Sequence, residues 1–354
     1  VVSERSTRVD VAVIGAGIVG CLVARAVLER RPGARVAVID RDAPGTGASL
    51  RSVGLHFPRG ASEPVRRMAA FSQDFYRDLL AADPGLPIYP VPMVVRSRRT
   101  ERDLREVYLP DAELTLLASS PAGPDAQAGP GGHPAPGWTG RGAQYADVPA
   151  LVSVLARDLR ARAVLREGVA VTAVEPGPEQ VDIVLGTGEQ VRAGAVVLAP
   201  GPWTQAPAWA KLLAPLDLRI KKIVALHVRR PVAVGDAVVV YQDDDSFLLP
   251  VRHRGHWVYS YTSQEWDVDP DELPAGLTPS DLAAGLAALT EHAAGLVPDV
   301  VGGRVFCDAY SGDRQPVVRP VDDTGRVVFA GAACGSGYRL APALATQAVG
   351  LLPT

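Results

Sequence analysis

A two-part α/β fold, a parallel sheet gathered from separated stretches of chain beside a largely antiparallel β domain, follows from three observations. The first is the opening strand–turn–helix. An apolar run at 9–14 enters Gly15-Ala16-Gly17-Ile18-Val19-Gly20, and a second apolar strand at 36–39 ends at Asp40. The second is a pair of further buried strands far along the chain, at 195–199 and 327–330, the latter running into the glycine-rich turn 331–337. The third is a change of pattern between about 216 and 311, where β segments alternate in polarity.

Each opening element has a physical role. The apolar run reads as a buried parallel strand. Gly15 allows a tight turn, Gly17 lets the backbone approach a pyrophosphate, and Gly20 lets helix and strand pack closely. The helix N-terminus, from Ile18 and Val19 onward, offers free N–H groups to phosphate. Asp40, twenty residues after Gly20, ends the second strand where a carboxylate can take ribose hydroxyls. The unit is therefore Rossmann-like and binds a dinucleotide. A helix at 62–82 follows, with Val65, Met68, Ala69, Phe71, Phe75, Leu79 and Leu80 near a 3.6 period, ended by Pro84 and Pro87. A strand at 91–95 and a short helix at 101–107 come next. Residues 119–142 are rich in Pro, Gly and Ala and read as a mobile surface loop, either over an active-site entrance or an inert insertion.

Pro149 opens a helix over 150–163, with Asp147 as its N-cap. Strands are expected at 169–174, 181–185 and 190–192, then the buried strand 195–199 ending at Pro200-Gly201-Pro202-Trp203. In the alternating region, strands at 223–228, 237–241, 247–249 and 256–261 are interrupted by a helix at 279–295. The last strand leads through the turn 331–337 into a helix from Ala341. The cofactor domain is thus discontinuous, at 1–82, 143–215 and 312–354. The substrate domain takes 83–142 and 216–311.

Composition narrows the function. The chain has 354 residues, 47% apolar and 21% charged, with a net charge of −3, which fits a soluble enzyme of about two domains and no nucleic-acid or polybasic membrane surface. Cys21, Cys307 and Cys334 are too scattered for a disulfide framework or a metal site and fit a reducing cytoplasm. The most apolar stretch, 11–28, contains the glycine turn and Arg25, so no membrane span is expected.

Four blocks, Gly15–Gly20 with Asp40, residues 47–54, residues 195–203, and Gly331–Gly337 continued by Tyr338-Arg339-Leu340-Ala341-Pro342-Ala343, resemble the D-amino-acid-oxidase-type flavoproteins. Within them the chain is most similar to the glycine oxidase and monomeric sarcosine oxidase branch. The resemblance implies a glutathione-reductase-type two-domain flavoprotein holding extended FAD. Carried over by position, Asp40 and Arg41 would meet the adenosine ribose, and Ala48, Ser49 and Ser52 the pyrophosphate and ribityl. Val171 would pair with adenine, Gly201 and Trp203 would lie along the cofactor, and Gly331 with Gly335, Ser336, Gly337 and Tyr338 would lie near the flavin. Trp203 is equally readable as a core aromatic.

The same resemblance implies oxidation of the C–N bond of an amino acid or N-substituted amino acid to an imine, with oxygen reduced to hydrogen peroxide. Such a substrate wants an arginine for its carboxylate. Arg339 matches the basic position of the sarcosine oxidase branch. Arg51, in the turn beneath the flavin, is a second candidate, and Arg314 a weaker one. Tyr310 fits the neighbouring column and would donate a phenolic hydrogen bond. His56 either faces the substrate or is a satisfied structural histidine. Tyr241 and Phe247 either line the pocket or belong to the core. Cys307 lies near the position that carries flavin covalently in that branch, but with one residue more before Tyr310, so noncovalent FAD is favoured; Cys334 is a lesser alternative. The lysine that promotes oxygen reaction in sarcosine oxidases has no counterpart at 260–270, and Lys221 and Lys222 fall on another strand. That departure keeps open a dehydrogenase of an amine or 2-hydroxy acid with another electron acceptor, and an FAD-bound subunit inactive without partners.

Overall fold

A computed structural model of the protein describes residues 7–117 and 135–353. In chain order, the elements that build the site are β1 (Thr7–Ile14), α1 (Ile18–Arg30), β2 (Val36–Ile39), α2 (Glu63–Ala82), α3 (Val148–Arg162), β3 (Gln190–Leu198), β4 (Arg219–Val228), β5 (Val300–Tyr310), β6 (Val327–Gly331) and α4 (Gly337–Gly350).

The first sheet has β1 at its centre, parallel to β2 on one side and to β3 on the other. The outer edge of β3, away from β1, is shared between two partners. Its first half pairs antiparallel with Val181–Leu185, and its last residues pair parallel with β6. Alternation along β1 sends Val11 and Val13 into a core with α1, α3 and α4, and sends Ala12 and Ile14 into a second core on the opposite face. Strands buried on both faces explain the unbroken apolar runs in β1, β2 and β6.

The second sheet runs β5, β4, His256–Tyr261, Ser246–Val251, Val238–Tyr241, Met93–Arg96, Gly137–Gly140 and Thr115–Leu116. All its pairings are antiparallel except that of Val238–Tyr241 with Met93–Arg96. A small third sheet joins Leu55–His56, Gln144–Ala146 and Ile88–Pro90.

Several elements differ from the sequence-based expectation. Of the loop expected at 119–142, residues 119–134 lie outside the described residues, and Gly137–Gly140 is a strand anchored by buried Trp138. The segments expected at 190–192 and 195–199 are one continuous strand through Gly194. The last helix begins at Gly337, four residues before Ala341, and carries Pro342 inside it. On α2 the buried stripe is Val65, Met68, Ala69, Ser72 and Tyr76, which leaves Phe71 42% exposed. The N-cap expected at Asp147 is present, accepting from Ala150 N–H at 3.2 Å.

Close packing of α1 on β1 generates a prediction. A Cβ on Gly20 would sit 1.8 Å from the Gly15 carbonyl oxygen. Gly20→Ala should therefore destabilise the protein by about 3 kcal/mol, the upper end of overpacking costs, and a thermal melt should show the lower midpoint.

Candidate active site

One cavity of about 1220 Å³ lies between the two large sheets and takes wall residues from both. Its cofactor-side floor is built from sequence signals already noted. Gly15 has φ +103°, and a Cβ there would meet the Ala199 carbonyl oxygen at 2.2 Å. A Cβ on Gly17 would come within 3.2 Å of Ser49 Oγ. Helix α1 starts beside them with no side-chain cap, while Ile18 N–H donates to Ser49 Oγ at 3.0 Å. Asp40 Oδ2 accepts from Ala16 N–H at 2.6 Å, and burial raises its pKa against the pull of the Ala16 and Asp42 amides. A helix N-terminus with glycine at its N-cap, a glycine cradle and a carboxylate at the strand end fit a dinucleotide.

Most of the expected cofactor residues lie on this wall: Gly15, Gly17, Ile18, Val19, Asp40, Arg41, Ala48, Ser49 and Ser52 from the first part of the chain, Val171, Gly201 and Trp203 from the middle, and Gly331 with Gly335 through Tyr338 near the C-terminal helix. Gly20 is off the wall, packed against Gly15. Trp203 is fixed at the rim, donating Nε1–H to Asp271 Oδ1 at 2.8 Å, with Arg41 over its ring at 4.4 Å and paired to the same carboxylate. The turn before α4 holds Ala332 and Cys334 at φ +50° and +52°, a left-handed conformation costly for residues with a Cβ. Its Ala333 bridges to Tyr310, so the end of β5 is tied to the cofactor side.

The substrate-side candidates divide. Arg339, Tyr310, Phe247, Arg314 and Cys334 line the cavity. Arg339 is 9% exposed, and burial with the nearby Arg59 charge pushes its pKa down to about 10. Its Nη2 donates to Ser336 Oγ, its guanidinium lies 4.8 Å from the Phe57 ring centroid, and its Nε has no partner. It forms no ion pair among the described residues.

Four of the candidates lie off the cavity wall: Arg51, and His56, Tyr241 and Cys307 in the structural or core alternative. His56 is fully buried away from the cavity, on a strand whose alternation turns it toward α2; Nε2 lies 2.8 Å from Gln73 Oε1, and burial pushes its pKa down to about 4. Arg51 donates to the Val305 carbonyl at 2.8 Å and holds the turn against β5. Tyr241 stacks on His292 at 3.9 Å on the other side of the sheet. Cys307 packs in the core behind β5, and burial pushes its thiol up to about 12.

Strand parity explains the last case. Phe306, Asp308 and Tyr310 alternate onto the cavity wall, and Cys307 points the other way. The Asp308 carboxyl forms no hydrogen bond or ion pair among the described residues, and burial pushes its pKa up to about 7. Its register partner on β4 is Lys221, which is 6% exposed, lines the cavity and lies 4.8 Å from the Trp266 ring and 5.6 Å from the Tyr310 ring. Burial lowers its pKa. The adjacent Lys222 faces away, bound to Asp281 and Glu265 at 2.7 and 3.0 Å. Sequence reasoning passes over Arg59 and Asp308 and places Lys221 only on another strand. The signal available for the lysines was their adjacency on one strand, which forces one of them to each face.

The family described as DAO, FAD dependent oxidoreductase, matches residues 10–350. No curated protein matches the chain in sequence. Among solved structures, NikD in its open form, an unusual amino acid oxidase essential for nikkomycin biosynthesis, is 20% identical with a TM-score of 0.78, over 98% of this chain and 94% of that one. Glycine oxidase from Geobacillus kaustophilus is 17% identical with a TM-score of 0.77, over 99% and 96%. L-proline dehydrogenase from P. horikoshii is 17% identical with a TM-score of 0.80, over 98% and 93%. These likenesses establish the fold.

The unpaired carboxyl gives a prediction. A carboxyl whose pKa is about 7 in the folded protein and near 4 in the unfolded chain retains its proton on folding, so stability falls as pH rises between about 4 and 7. Asp308→Asn should remove that fall. Its melting temperature should exceed that of the wild type near pH 8, with little difference near pH 4.

Proposed function

The chain belongs to the DAO family of FAD-dependent oxidoreductases, and on that footing we propose that it oxidises the C–N bond of an amino acid or N-substituted amino acid to an imine, passing the electrons to oxygen. The observation that carries this reading is Arg339, a guanidinium buried in the cavity wall with no carboxylate partner among the described residues. A buried charge of this kind calls for an anion. Arg59 lies beside it, with a buried Nε that has no partner among the described residues and a long ion pair to exposed Asp245 at 3.8 Å. Two guanidiniums converge here, and a substrate carboxylate placed between them would satisfy both. Phe57, against Arg339, and Phe247 and Trp266 on the same wall supply apolar surface for the rest of a small amino acid.

FAD, when bound, supplies the two-electron acceptor. The residues proposed to hold it are those of the glycine turn and α1 for the pyrophosphate, Asp40 for the ribose, and the turn 331–337 with the start of α4 for the flavin end, without a covalent bond. The chain's own groups then orient and poise the substrate. Arg339 and Arg59 anchor the carboxylate and thereby fix the α-carbon, which makes the reacting geometry effectively intramolecular. Asp308 divides between acid and carboxylate near neutral pH, so the wall of β5 carries a group able to exchange a proton with the cavity.

Oxygen as acceptor is supported by Lys221. The stretch 260–270 has no lysine, but β4 delivers one to the cavity from the adjacent strand. A desolvated ammonium stabilises negative charge that develops on oxygen as it takes up electrons.

Anaerobic bleaching of the flavin by a panel of amino acids and N-alkyl amino acids tests the reaction class. Bleaching by these compounds is expected; bleaching by 2-hydroxy acids alone would refute the amine reading. Arg339→Ala should raise KM about 10–100-fold while FAD stays bound, as read from flavin absorbance; unchanged saturation would remove Arg339 from the site. Lys221→Met should slow reoxidation by oxygen about 10–100-fold and leave reduction of an artificial dye near the wild-type rate. Equal loss with both acceptors would assign Lys221 elsewhere.

A further inference from the structure

A proline at the sixth position of α4 deletes one helical hydrogen bond. Pro342 has no N–H, so the carbonyl of Tyr338, four residues earlier, has no donor within the helix. The surroundings are dry, because every residue from 338 to 345 is buried, and a buried carbonyl without a donor is costly.

Helix α2 supplies the donor. The hydroxyl of Tyr76, whose side chain is fully buried, donates to the Tyr338 carbonyl at 2.6 Å. The two tyrosine rings stack at 4.7 Å with an interplanar angle of 24°, so the hydroxyl is held by packing as well as by the bond. His56, held by Gln73, also meets Tyr76, edge-on at 5.8 Å. The residue that follows Tyr338 is Arg339. Its guanidinium reaches Ser336 at the start of the same turn, so the direction of that turn sets where the charge enters the cavity.

We infer that Tyr76 is a positioning residue for Arg339: its hydroxyl replaces the N–H that Pro342 lacks, and so fixes the first turn of α4 in the orientation that presents the guanidinium to the cavity. The functional half of this inference rests on the carboxylate-binding reading of Arg339. The structural half rests on the hydrogen bond alone.

A double-variant cycle tests both halves. FAD-loaded wild type, Tyr76→Phe, Pro342→Ala and the double variant are compared by melting temperature and by the dissociation constant of acetate, followed through its perturbation of flavin absorbance. Tyr76→Phe keeps the stacked ring and removes the donor. It is expected to weaken acetate binding about tenfold and to lower the melting temperature by roughly 2–4 °C. Pro342→Ala returns an N–H to the helix, so the double variant should recover both properties relative to Tyr76→Phe. If Tyr76→Phe fails to load FAD, recovered loading in the double variant supports the replacement and continued failure overturns it. No change in Tyr76→Phe, or no recovery in the double variant, overturns the proposal. Recovered melting with acetate binding still weak overturns the positioning role. Arg339→Ala is the control: acetate binding unchanged in that variant refutes the carboxylate reading, while the melting data still decide whether the hydroxyl stands in for the missing amide.

Discussion

A positive charge held out of water without a carboxylate is the constraint that organises this molecule. Removing an ion from water costs on the order of several kcal/mol even after relaxation. Arg339 is held against that cost by partial substitutes: the hydroxyl of Ser336, the face of Phe57, and an opening into a large cavity. None of these cancels the charge. The guanidinium sits on the first turn of a helix buried over most of its length, and the turn before that helix is bridged through Ala333 to Tyr310. The proposed carboxylate partner completes an electrostatic arrangement that the protein alone leaves open.

The second sheet faces that charge with a different set of groups. Antiparallel pairing of β4 with β5 puts Lys221 opposite Asp308, yet the lysine lies over Trp266 and Tyr310 and forms no ion pair with the acid. An acid and a base placed opposite one another and left uncoupled both remain available to the cavity. Lys222, one residue on, shows the alternative outcome, since Asp281 and Glu265 neutralise it.

Legibility from sequence followed the range of the interactions involved. The glycine turn, Asp40 and the N-cap at Asp147 are local, with partners within one supersecondary unit, and were readable in advance. Lys221 and Asp308 depend on register between strands distant in sequence, and Arg59 on an isolated bridge to Tyr108, contacts that no local pattern marks. The cysteine beside Tyr310 shows how little separates the two outcomes, because a shift of one residue along β5 exchanges Cys307 for Asp308 at the wall. His56 drew notice by following the glycine-rich turn, but its side chain turns toward α2 and serves packing. α4 begins at Gly337, four residues before the Ala341 start expected from sequence, and carries Pro342 within it, a residue that normally interrupts a helix. Here a donor from another helix removes the usual penalty.

The sharing of β3 between two partners has a consequence for biosynthesis. β1, α1 and β3 are made before β6, which pairs with β3, and before α4, which packs on α1. Until those residues arrive, the last three residues of β3 have one free edge and α1 has an uncovered apolar flank. A nascent chain therefore carries uncovered hydrophobic surface on α1, and from residue 198 to residue 327 an unpaired sheet edge on β3, conditions that invite mispairing and chaperone capture. The contacts that close this cleft are among the most distant in the chain, so its assembly belongs at the slow end of folding rates.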